Sequence, residues 1–296
     1  MSKVGRLVYS VFDTPDVARL AEYHRDVLGL RVARLEADGA ELTCGLDHHA
    51  VALRRSDRQG IAALGFQLDD GASLDDAEAS LRDTGVDVRR KTDAVPGVPE
   101  LLEVTDPEGN TLHLFAEIAR SDERAPTGGV AARKLGHICL RARDVPRLTD
   151  WYEQTLGFRW SDWIGDFFVF LRCNADHHSL NLLRGERSGN VLHHIAYELR
   201  DMVHVQTACD VLSASGHPLV WGPGRHGPGH NVFTYHRSVD DHVVELFTQM
   251  DVVAPGSEDA FEPRPWHEDV PQVRKVWEPG PLTPNSWGIA PPADFL

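Results

Sequence analysis

The sequence predicts an α+β protein made of two tandem modules followed by a C-terminal extension. The first observation is an internal repeat, because the segment at 6–31 aligns without gaps on the segment at 134–159. The second is that strand-like alternation and helical periodicity follow each other in the same order in both copies. The third is a change after Met250 to a stretch rich in Pro and Trp with little periodicity. Together they place modules at 1–120 and 134–250, a linker at 121–133 and a tail at 251–296.

Each copy of the repeat predicts a strand followed by a helix. In "RLVYSVFDTPDVARLAEYHRDVLGLR", an alternating apolar strand leads into an Asp-Val pair at Asp16, and the helical pattern ends at Leu-Gly. In "KLGHICLRARDVPRLTDWYEQTLGFR", the same pair occurs at Asp144, and Leu-Gly again ends the pattern. Asp is typical of a helix start and Gly of the position just after a helix. We therefore expect a helix to begin near each Asp and to end at each Leu-Gly.

The later elements of the two modules also correspond. The stretch "AALGFQL" at 62–68 matches "HHIAYEL" at 193–199, and "DPEGNTLHLF" at 106–115 corresponds to "DDHVVELF" at 240–247. Each of these stretches predicts a strand. The segments between them carry helical periodicity and end at a glycine, which favours one further helix in each module.

Length, charge and cysteine content narrow the class of protein. A chain of 296 residues with 42% hydrophobic residues can bury a large core. The net charge of −15, without a Lys/Arg cluster, argues against a nucleic-acid partner. No apolar run is long enough for a membrane span, and the N-terminus lacks the features of a signal peptide. The four cysteines are widely spaced without a CxxC pair, so we expect reduced thiols and a cytoplasmic protein.

Three strand positions differ in kind between the otherwise similar modules. The second module has two histidines and a glutamate where the first has Tyr, Ala and His: His137, His194 and Glu245 against Tyr9, Ala63 and His113. Two histidines and one carboxylate are the ligand set that leaves open positions on Fe(II). A carboxylate flanked by apolar residues is costly unless it is paired or bound to metal. The sequence therefore predicts a metal site in the second module alone.

Half of the 16 histidines have an ordinary interpretation as surface or hydrogen-bonded core residues. That interpretation covers eight of them: His24, His48, His49, His204, His217, His236, His242 and His267. The stretch "WGPGRHGPGHNVFTY" at 221–235 is harder to explain in this way. Its glycines and prolines are consistent with a turn, but turn formation does not require the histidines and the tyrosine.

Four motifs, "GHICL", "HHIAYEL", "GPGRHG…TY" and "VVELF", resemble the type I extradiol ring-cleaving dioxygenases of the vicinal oxygen chelate superfamily. The resemblance is to the catechol 2,3-dioxygenase and homoprotocatechuate 2,3-dioxygenase branches and covers nearly the whole chain. It implies two modules of paired βαβββ units, each curled into a half-open barrel. It implies Fe(II), or Mn(II) in some relatives, bound by His137, His194 and Glu245. It also implies a homo-oligomer that cleaves catechols with O₂ in aromatic hydrocarbon catabolism.

The resemblance assigns roles to further residues. His178, the second histidine of "CNADHHSL", matches the family's acid/base residue, and His177 is the alternative. His226 and Tyr235 match the pair that contacts the substrate hydroxyls. Trp221 lies where homoprotocatechuate enzymes have an arginine that holds the substrate carboxylate. This difference favours an alkyl, aryl or polycyclic catechol.

The tail and the reaction each leave alternatives open. The tail, with Trp266, Trp277 and Trp287, is interpreted either as a lid over the pocket mouth or as a cover for a subunit interface. His230 has no counterpart in the family motif and receives no role. A non-catalytic ligand-binding protein and a glyoxalase-type metal-dependent enzyme are the rival functions on the same scaffold.

Overall fold

The structure is a computed structural model that describes residues 3–121, 128–187, 189–293 and 295. Its first module contains eight strands and two α-helices, and the first helix continues as a π-helical turn over Tyr23–Val27. In chain order these elements are β1 (Val4–Thr14), α1 (Val17–Glu22), β2 (Arg31–Leu35), β3 (Gly39–Thr43), β4 (Val51–Arg55), β5 (Gly60–Leu68), α2 (Leu74–Asp83), β6 (Val88–Val95), β7 (Val98–Thr105) and β8 (Thr111–Phe115).

The second module repeats this order of elements and is followed by one short strand in the tail. The elements are β9 (Lys134–Ala142), α3 (Val145–Leu156), β10 (Arg159–Ile164), β11 (Phe168–Arg172), β12 (Leu180–Arg184), β13 (Leu192–Glu198), α4 (Met202–Ala214), β14 (Leu219–Arg225), β15 (Val232–Arg237), β16 (Val243–Thr248) and the tail strand β17 (Lys275–Trp277). No helix among the described residues is both long and apolar enough to cross a membrane.

Each module is a pair of βαβββ units that share one curled sheet. The strand order is β2-β3-β4-β1-β5-β8-β7-β6 in the first module and β14-β15-β16-β13-β9-β12-β11-β10-β17 in the second. The first strands of the paired units, β1 with β5 and β9 with β13, are antiparallel neighbours at the centre of each sheet. The predicted fold class is confirmed. The linker prediction lies partly on residues 122–127, which are outside the described residues.

The helix ends follow the sequence signals. The side chains of Asp16 and Asp144 accept hydrogen bonds from the backbone N–H groups of Arg19 and Arg147, so each Asp caps its helix. Gly157 ends α3 with a φ of 75°, a left-handed conformation that glycine adopts without steric cost. The predicted helix starts are therefore confirmed.

One hydrophobic core runs through both modules. The rings of Phe66 and Phe158, from different modules, meet edge to face with centroids 5.5 Å apart. Polar contacts also cross between the modules, since Tyr23 and His236 share a 2.6 Å hydrogen bond. Burial of this shared apolar surface favours a fixed arrangement of the two sheets. The helices pack on this core side, which leaves the concave face of the second sheet for a site.

Candidate metal and substrate site

Three neighbouring strands at the centre of the second sheet carry the predicted metal ligands. His137 lies on β9, His194 on β13 and Glu245 on β16. Ala196 of β13 pairs with both His137 and Glu245, and His194 precedes it by two residues. Residues two apart on a strand share a face, so all three side chains project from the same side of the sheet. The small Ala196 side chain leaves room for the two flanking side chains to approach each other.

The structure brings the three donor atoms together. Nε2 of His137 lies 3.2 Å from Nε2 of His194 and 3.1 Å from Oε2 of Glu245, and the remaining pair is 3.3 Å apart. All three side chains are buried. Two imidazole nitrogens and one carboxylate oxygen directed at one point are the donor set of a facial triad. The residues present therefore fit a ferrous or manganous ion.

A hydrogen-bond chain determines which nitrogen of His194 carries its proton. Nε2 of His193 lies 2.8 Å from the backbone carbonyl of Phe295, which can only accept, so His193 carries its proton there. Its Nδ1 is then the acceptor in the 2.7 Å contact with Nδ1 of His194. Nε2 of His194 is consequently left with a free lone pair toward His137 and Glu245. This tautomer is the one a metal ligand needs.

Burial sets the protonation states around the triad. Burial, reinforced by neighbouring histidines, lowers the pKa of His194 and of His178 well below the ordinary value, so both rings are neutral. Burial would raise the pKa of Glu245, but His137 and the Tyr235 hydroxyl outweigh it, and the net shift is downward. Burial and the charge of Glu245 raise the pKa of Tyr235 well above its usual value. The site thus combines neutral imidazoles, a carboxylate and a protonated phenol.

The other predicted site residues lie around this centre. The rings of His178 and His137 have centroids 4.3 Å apart. The Tyr235 hydroxyl donates to Oε2 of Glu245 at 2.9 Å and lies 3.0 Å from Nε2 of His226. Trp221 stacks on Tyr235 with ring centroids 5.4 Å apart. The structure therefore brings together every residue that the sequence assigned to the site.

A mostly apolar cavity of about 230 Å³ opens onto the triad. No Lys or Arg is found among the described residues that line it. Its apolar wall includes residues from the second module and from the tail: Ile164, Phe168, Phe170, Trp221, Pro284 and Phe295. The tail thus forms part of the cavity wall, and its movement as a lid stays a prediction. A larger cavity, of about 380 Å³, contains Arg54, Arg58 and Arg187 but none of the predicted site residues.

Two site features were missed at the sequence level. The side-chain amide of Asn231 donates a 2.9 Å hydrogen bond to Oε1 of Glu245, so both oxygens of this carboxylate have donors. His193 directs the tautomer of His194. Asn231 lies in the Gly/Pro stretch that also contains His226 and Tyr235, and His193 is the first member of a histidine doublet. These two sequence positions were the features that could have pointed to Asn231 and His193 as site residues.

The first module has no equivalent site because Tyr9 occupies its place. A Cβ on Gly65 would lie 2.4 Å from the Tyr9 ring, so that ring covers the centre of the first sheet. The Tyr9 hydroxyl lies 3.0 Å from Nδ1 of His113, the counterpart of Glu245. No carboxylate stands at that position, so the difference between the modules has a direct structural basis.

A second cluster of potential ligands is satisfied by hydrogen bonds. Asp251 contacts Nδ1 of His230 at 2.7 Å and Nε2 of His267 at 2.8 Å. The backbone N–H of Arg264 donates to Nδ1 of His267, so the ring proton of His267 lies on Nε2 and points at Asp251. His230 therefore acts as a hydrogen-bonded anchor for its loop, a role that the sequence left open.

A family model matches each of the two modules. Residues 134–246 match the glyoxalase/bleomycin resistance protein/dioxygenase superfamily, and residues 9–115 match a glyoxalase-like domain. The two matches together span most of both modules, so each module carries a domain of the glyoxalase type. The predicted resemblance to extradiol dioxygenases is confirmed, because several relatives are named as such enzymes.

Three similar proteins illustrate the range of relatives. Metapyrocatechase 2 of Cupriavidus necator is 29% identical over 259 residues, covering 78% of this chain and 77% of that protein. A manganese-dependent 2,3-dihydroxybiphenyl 1,2-dioxygenase of Geobacillus genomosp. 3 is 20% identical, covering 93% and 94%. The crystal structure of the Mn(II)-bound glyoxalase from Novosphingobium aromaticivorans aligns with a TM-score of 0.86 at 27% identity, covering 99% and 94%.

Proposed function

We propose that this chain is an extradiol dioxygenase that uses O₂ to cleave a catechol ring beside its hydroxyls, at a metal held by His137, His194 and Glu245. The observation that carries the proposal is the meeting of three donor atoms, 3.1–3.3 Å apart, at the wall of an apolar cavity. The relatives named as metapyrocatechase and 2,3-dihydroxybiphenyl dioxygenase support it.

The metal is proposed to be Fe(II), with Mn(II) as the alternative. Two imidazoles and one carboxylate suit non-haem iron, and relatives with manganese in their names support the alternative. A bound ion would serve as a template for catechol and O₂ and would stabilise developing negative charge. Asn231 and Tyr235 hold Glu245 in the orientation that the ion requires.

Other residues of the site bind the substrate, exchange a proton and exclude water. Tyr235 and His226 contact the substrate hydroxyls, and His178 exchanges a proton at its Nε2. A phenol hydroxyl and a neutral imidazole can each donate or accept a hydrogen bond at these atoms. The apolar wall, including Pro284 and Phe295 of the tail, excludes water from the reacting groups. We propose that the tail closes the cavity as a lid.

The cavity favours an uncharged substrate. A carboxylated catechol would bring an anion into a space without Lys or Arg among its described lining residues, and burying an unpaired charge is costly. The volume of about 230 Å³ lies below the range of about 300–1,000 Å³ typical of drug-sized ligands. These two features favour alkyl- and aryl-catechols over larger polycyclic ones.

Anaerobic reconstitution tests the proposal. The metal-free protein is loaded with Fe(II) or Mn(II), mixed with catechol, 3-methylcatechol or 2,3-dihydroxybiphenyl, and then exposed to air. We expect O₂ uptake together with a yellow ring-cleavage product. Neither signal with any catechol, although metal is bound, would exclude the activity. His178→Ala is expected to retain metal and lose most turnover, whereas loss of metal would reassign His178 as a ligand.

A second candidate function is a glyoxalase-type reaction. The similarity to the Mn(II)-bound glyoxalase favours it. Against it, the triad contains a single carboxylate, and no further carboxylate lines the cavity among the described residues. The same metal-loaded samples are assayed for glyoxalase activity. Glyoxalase turnover without O₂ uptake would replace the dioxygenase proposal, and metal-dependent catechol binding without turnover would indicate a ligand-binding protein.

A further inference from the structure

A buried chain of hydrogen bonds runs from the tail to His178. Nδ1 of His178 lies 3.0 Å from Nδ1 of His177, and Nε2 of His177 lies 3.2 Å from Oδ2 of Asp162. All three side chains are at most 2% exposed. Two nitrogens at this distance share one proton, so one ring donates and the other accepts. The position of that proton determines what His178 offers to the cavity.

Asp162 is surrounded by donors. The indole N–H of Trp277 donates to its Oδ2 at 2.8 Å, and the backbone N–H of Lys275 donates to its Oδ1 at 2.9 Å. Both donors belong to β17, the tail strand that pairs with β10. Both oxygens of Asp162 thus accept hydrogen bonds, and an accepting oxygen 3.2 Å from Nε2 of His177 is matched by a proton on that nitrogen. Nε2 of His177 must therefore carry a proton.

The position of that proton determines the other hydrogen bonds that connect His177 and His178. If Nε2 holds the only ring proton of His177, its Nδ1 has a free lone pair, which accepts from Nδ1–H of His178. The Nε2 of His178 is then bare, and it has no hydrogen-bond partner among the described residues. Because His178 lines the cavity, this nitrogen is available to a bound molecule.

The first module provides an internal comparison. It keeps a histidine doublet, His48 and His49, with the same contact between Nδ1 atoms at 3.1 Å. Arg34 occupies the place of Asp162 in the matching hairpin and pairs with Glu41 instead. The first module therefore has the doublet without the carboxylate. Among the residues that the structure describes, the complete hydrogen-bond chain occurs only beside the proposed metal site.

We propose that Asp162 and His177 are positioning residues that hold His178 in the tautomer whose Nε2 accepts a proton from the bound substrate, and that Trp277 ties this arrangement to the tail. The substrate and the reaction rest on the proposed function, but the tautomer does not. In the opposite tautomer, Nε2 of His178 would be a donor and unable to act as a base. The tail thus has a part in proton transfer as well as in lining the cavity.

Nitrogen NMR of the full chain tests the tautomer directly. Histidine-ring ¹⁵N spectra are recorded on metal-free protein and on protein loaded with diamagnetic Zn²⁺, and signals are assigned with His177→Gln and His178→Gln. We expect protonated Nε2 and bare Nδ1 in His177, and the reverse in His178. A proton on Nε2 of His178 in the wild-type protein would overturn the proposal, whatever the enzyme assays give.

Variants separate positioning from general stability. Asp162→Asn replaces one acceptor oxygen with an amide donor, so His178 is expected to change tautomer or to become a mixture. Asp166→Asn, at an exposed residue in the same β10–β11 hairpin that pairs with Arg184, is the matched control and is expected to keep both tautomers. Unchanged ring signals in Asp162→Asn would overturn the proposal. If that variant does not fold, the wild-type spectrum alone decides.

Kinetics give a second measurement in protein that turns over catechol. Asp162→Asn is expected to lower kcat by about 10-fold to 100-fold, less than the usual contribution of an acid–base residue itself, because Asp162 acts through His178. KM should change by less than about twofold, because Asp162 does not line the cavity. Asp166→Asn should change neither quantity. A rise in KM with unchanged kcat in Asp162→Asn would show that this residue shapes substrate binding and would overturn the assigned role.

Discussion

Tyr235 lies directly opposite Glu245 on the antiparallel strands β15 and β16, and its hydroxyl donates a 2.9 Å hydrogen bond to Oε2 of that glutamate. The same hydroxyl is 3.0 Å from Nε2 of His226. His226 carries a proton on Nδ1, which donates to the carbonyl of Pro284. The single proton of Tyr235 therefore has two acceptors in reach. It orients the carboxylate that is proposed to bind the metal, and it borders the cavity.

Tyr235→Phe is expected to weaken metal binding by about 10-fold to 100-fold, as is typical when a partner of a metal ligand is lost. The measurement is a competitive metal titration of the metal-free protein. Tyr197→Phe is the matched control, because Tyr197 is also buried on the second sheet but its hydroxyl has no partner among the described residues. Equal affinities in the two variants would contradict a role for Tyr235 in holding Glu245.

Asn231 is expected to matter for the same carboxylate. Asn231→Ala removes the donor to Oε1 of Glu245, so metal affinity should again fall by about 10-fold to 100-fold. Asn174→Ala, at an exposed loop position, should retain wild-type affinity. Thermal unfolding of the metal-free proteins shows whether each remains folded. Wild-type affinity in folded Asn231→Ala would mean that Tyr235 alone suffices to orient Glu245.

The apolar lining of the cavity is expected to make the enzyme prefer uncharged catechols. Catechols with a carboxylate should have a much lower kcat/KM than 3-methylcatechol. Phe167→Arg places a cation at a half-buried position in the cavity wall. It should reduce the ratio of kcat/KM for 3-methylcatechol to kcat/KM for a carboxylated catechol by about tenfold, the effect of about 1.4 kcal/mol of differential binding. Val203→Arg, on the exposed surface of α4, adds the same charge elsewhere and should leave the ratio unchanged. Efficient turnover of carboxylated catechols by the wild type would refute this assignment.

Stability of the metal-free protein is expected to fall in mild acid. Burial lowers the pKa of His236 to about 3. Between that value and the ordinary 6.5 the unfolded chain binds a proton that the folded chain does not. This contribution is therefore complete above about pH 6.5 and decreases by about 1.4 kcal/mol per pH unit as the pH falls toward 3.

Replacement of His236 tests this dependence. Urea unfolding at pH 7 and pH 5 should show a loss of stability that is about 2 kcal/mol smaller in His236→Gln than in the wild type. Tyr23→Phe removes the hydrogen bond to His236 but keeps its ring buried. That control should lose stability at both pH values and retain most of the pH dependence. Identical pH dependence of unfolding in His236→Gln and the wild type would show that the His236 ring does not cause the loss of stability in mild acid.

The sequence predicted much of the site because each strand residue has only two possible faces. The comparison of the two modules singled out His137, His194 and Glu245, and the strand pairing in the structure directs all three to one side of the sheet. The helix starts at Asp16 and Asp144 followed from local capping. These features depend on residues close together in the chain.

The partners of those residues could not be predicted in the same way. Asp162 reaches His177 across 15 positions, and Trp277 reaches Asp162 across 115, with no periodicity linking them. His193 was visible as half of a doublet, but its role depends on the carbonyl of Phe295, 102 positions away. Every residue has a backbone carbonyl, so no sequence motif predicts such a contact.

The sequence by itself determined that the chain is duplicated. It also predicted which module carries the metal ligands and which residues surround them, because these features reside in repeats, strand parity and motifs. The tertiary structure decided which nitrogen of each buried histidine is free, that Tyr9 fills the equivalent place in the first module, and that the tail lines the cavity. Those outcomes depend on three-dimensional packing and on hydrogen bonds between distant segments, where a single acceptor determines the position of a proton.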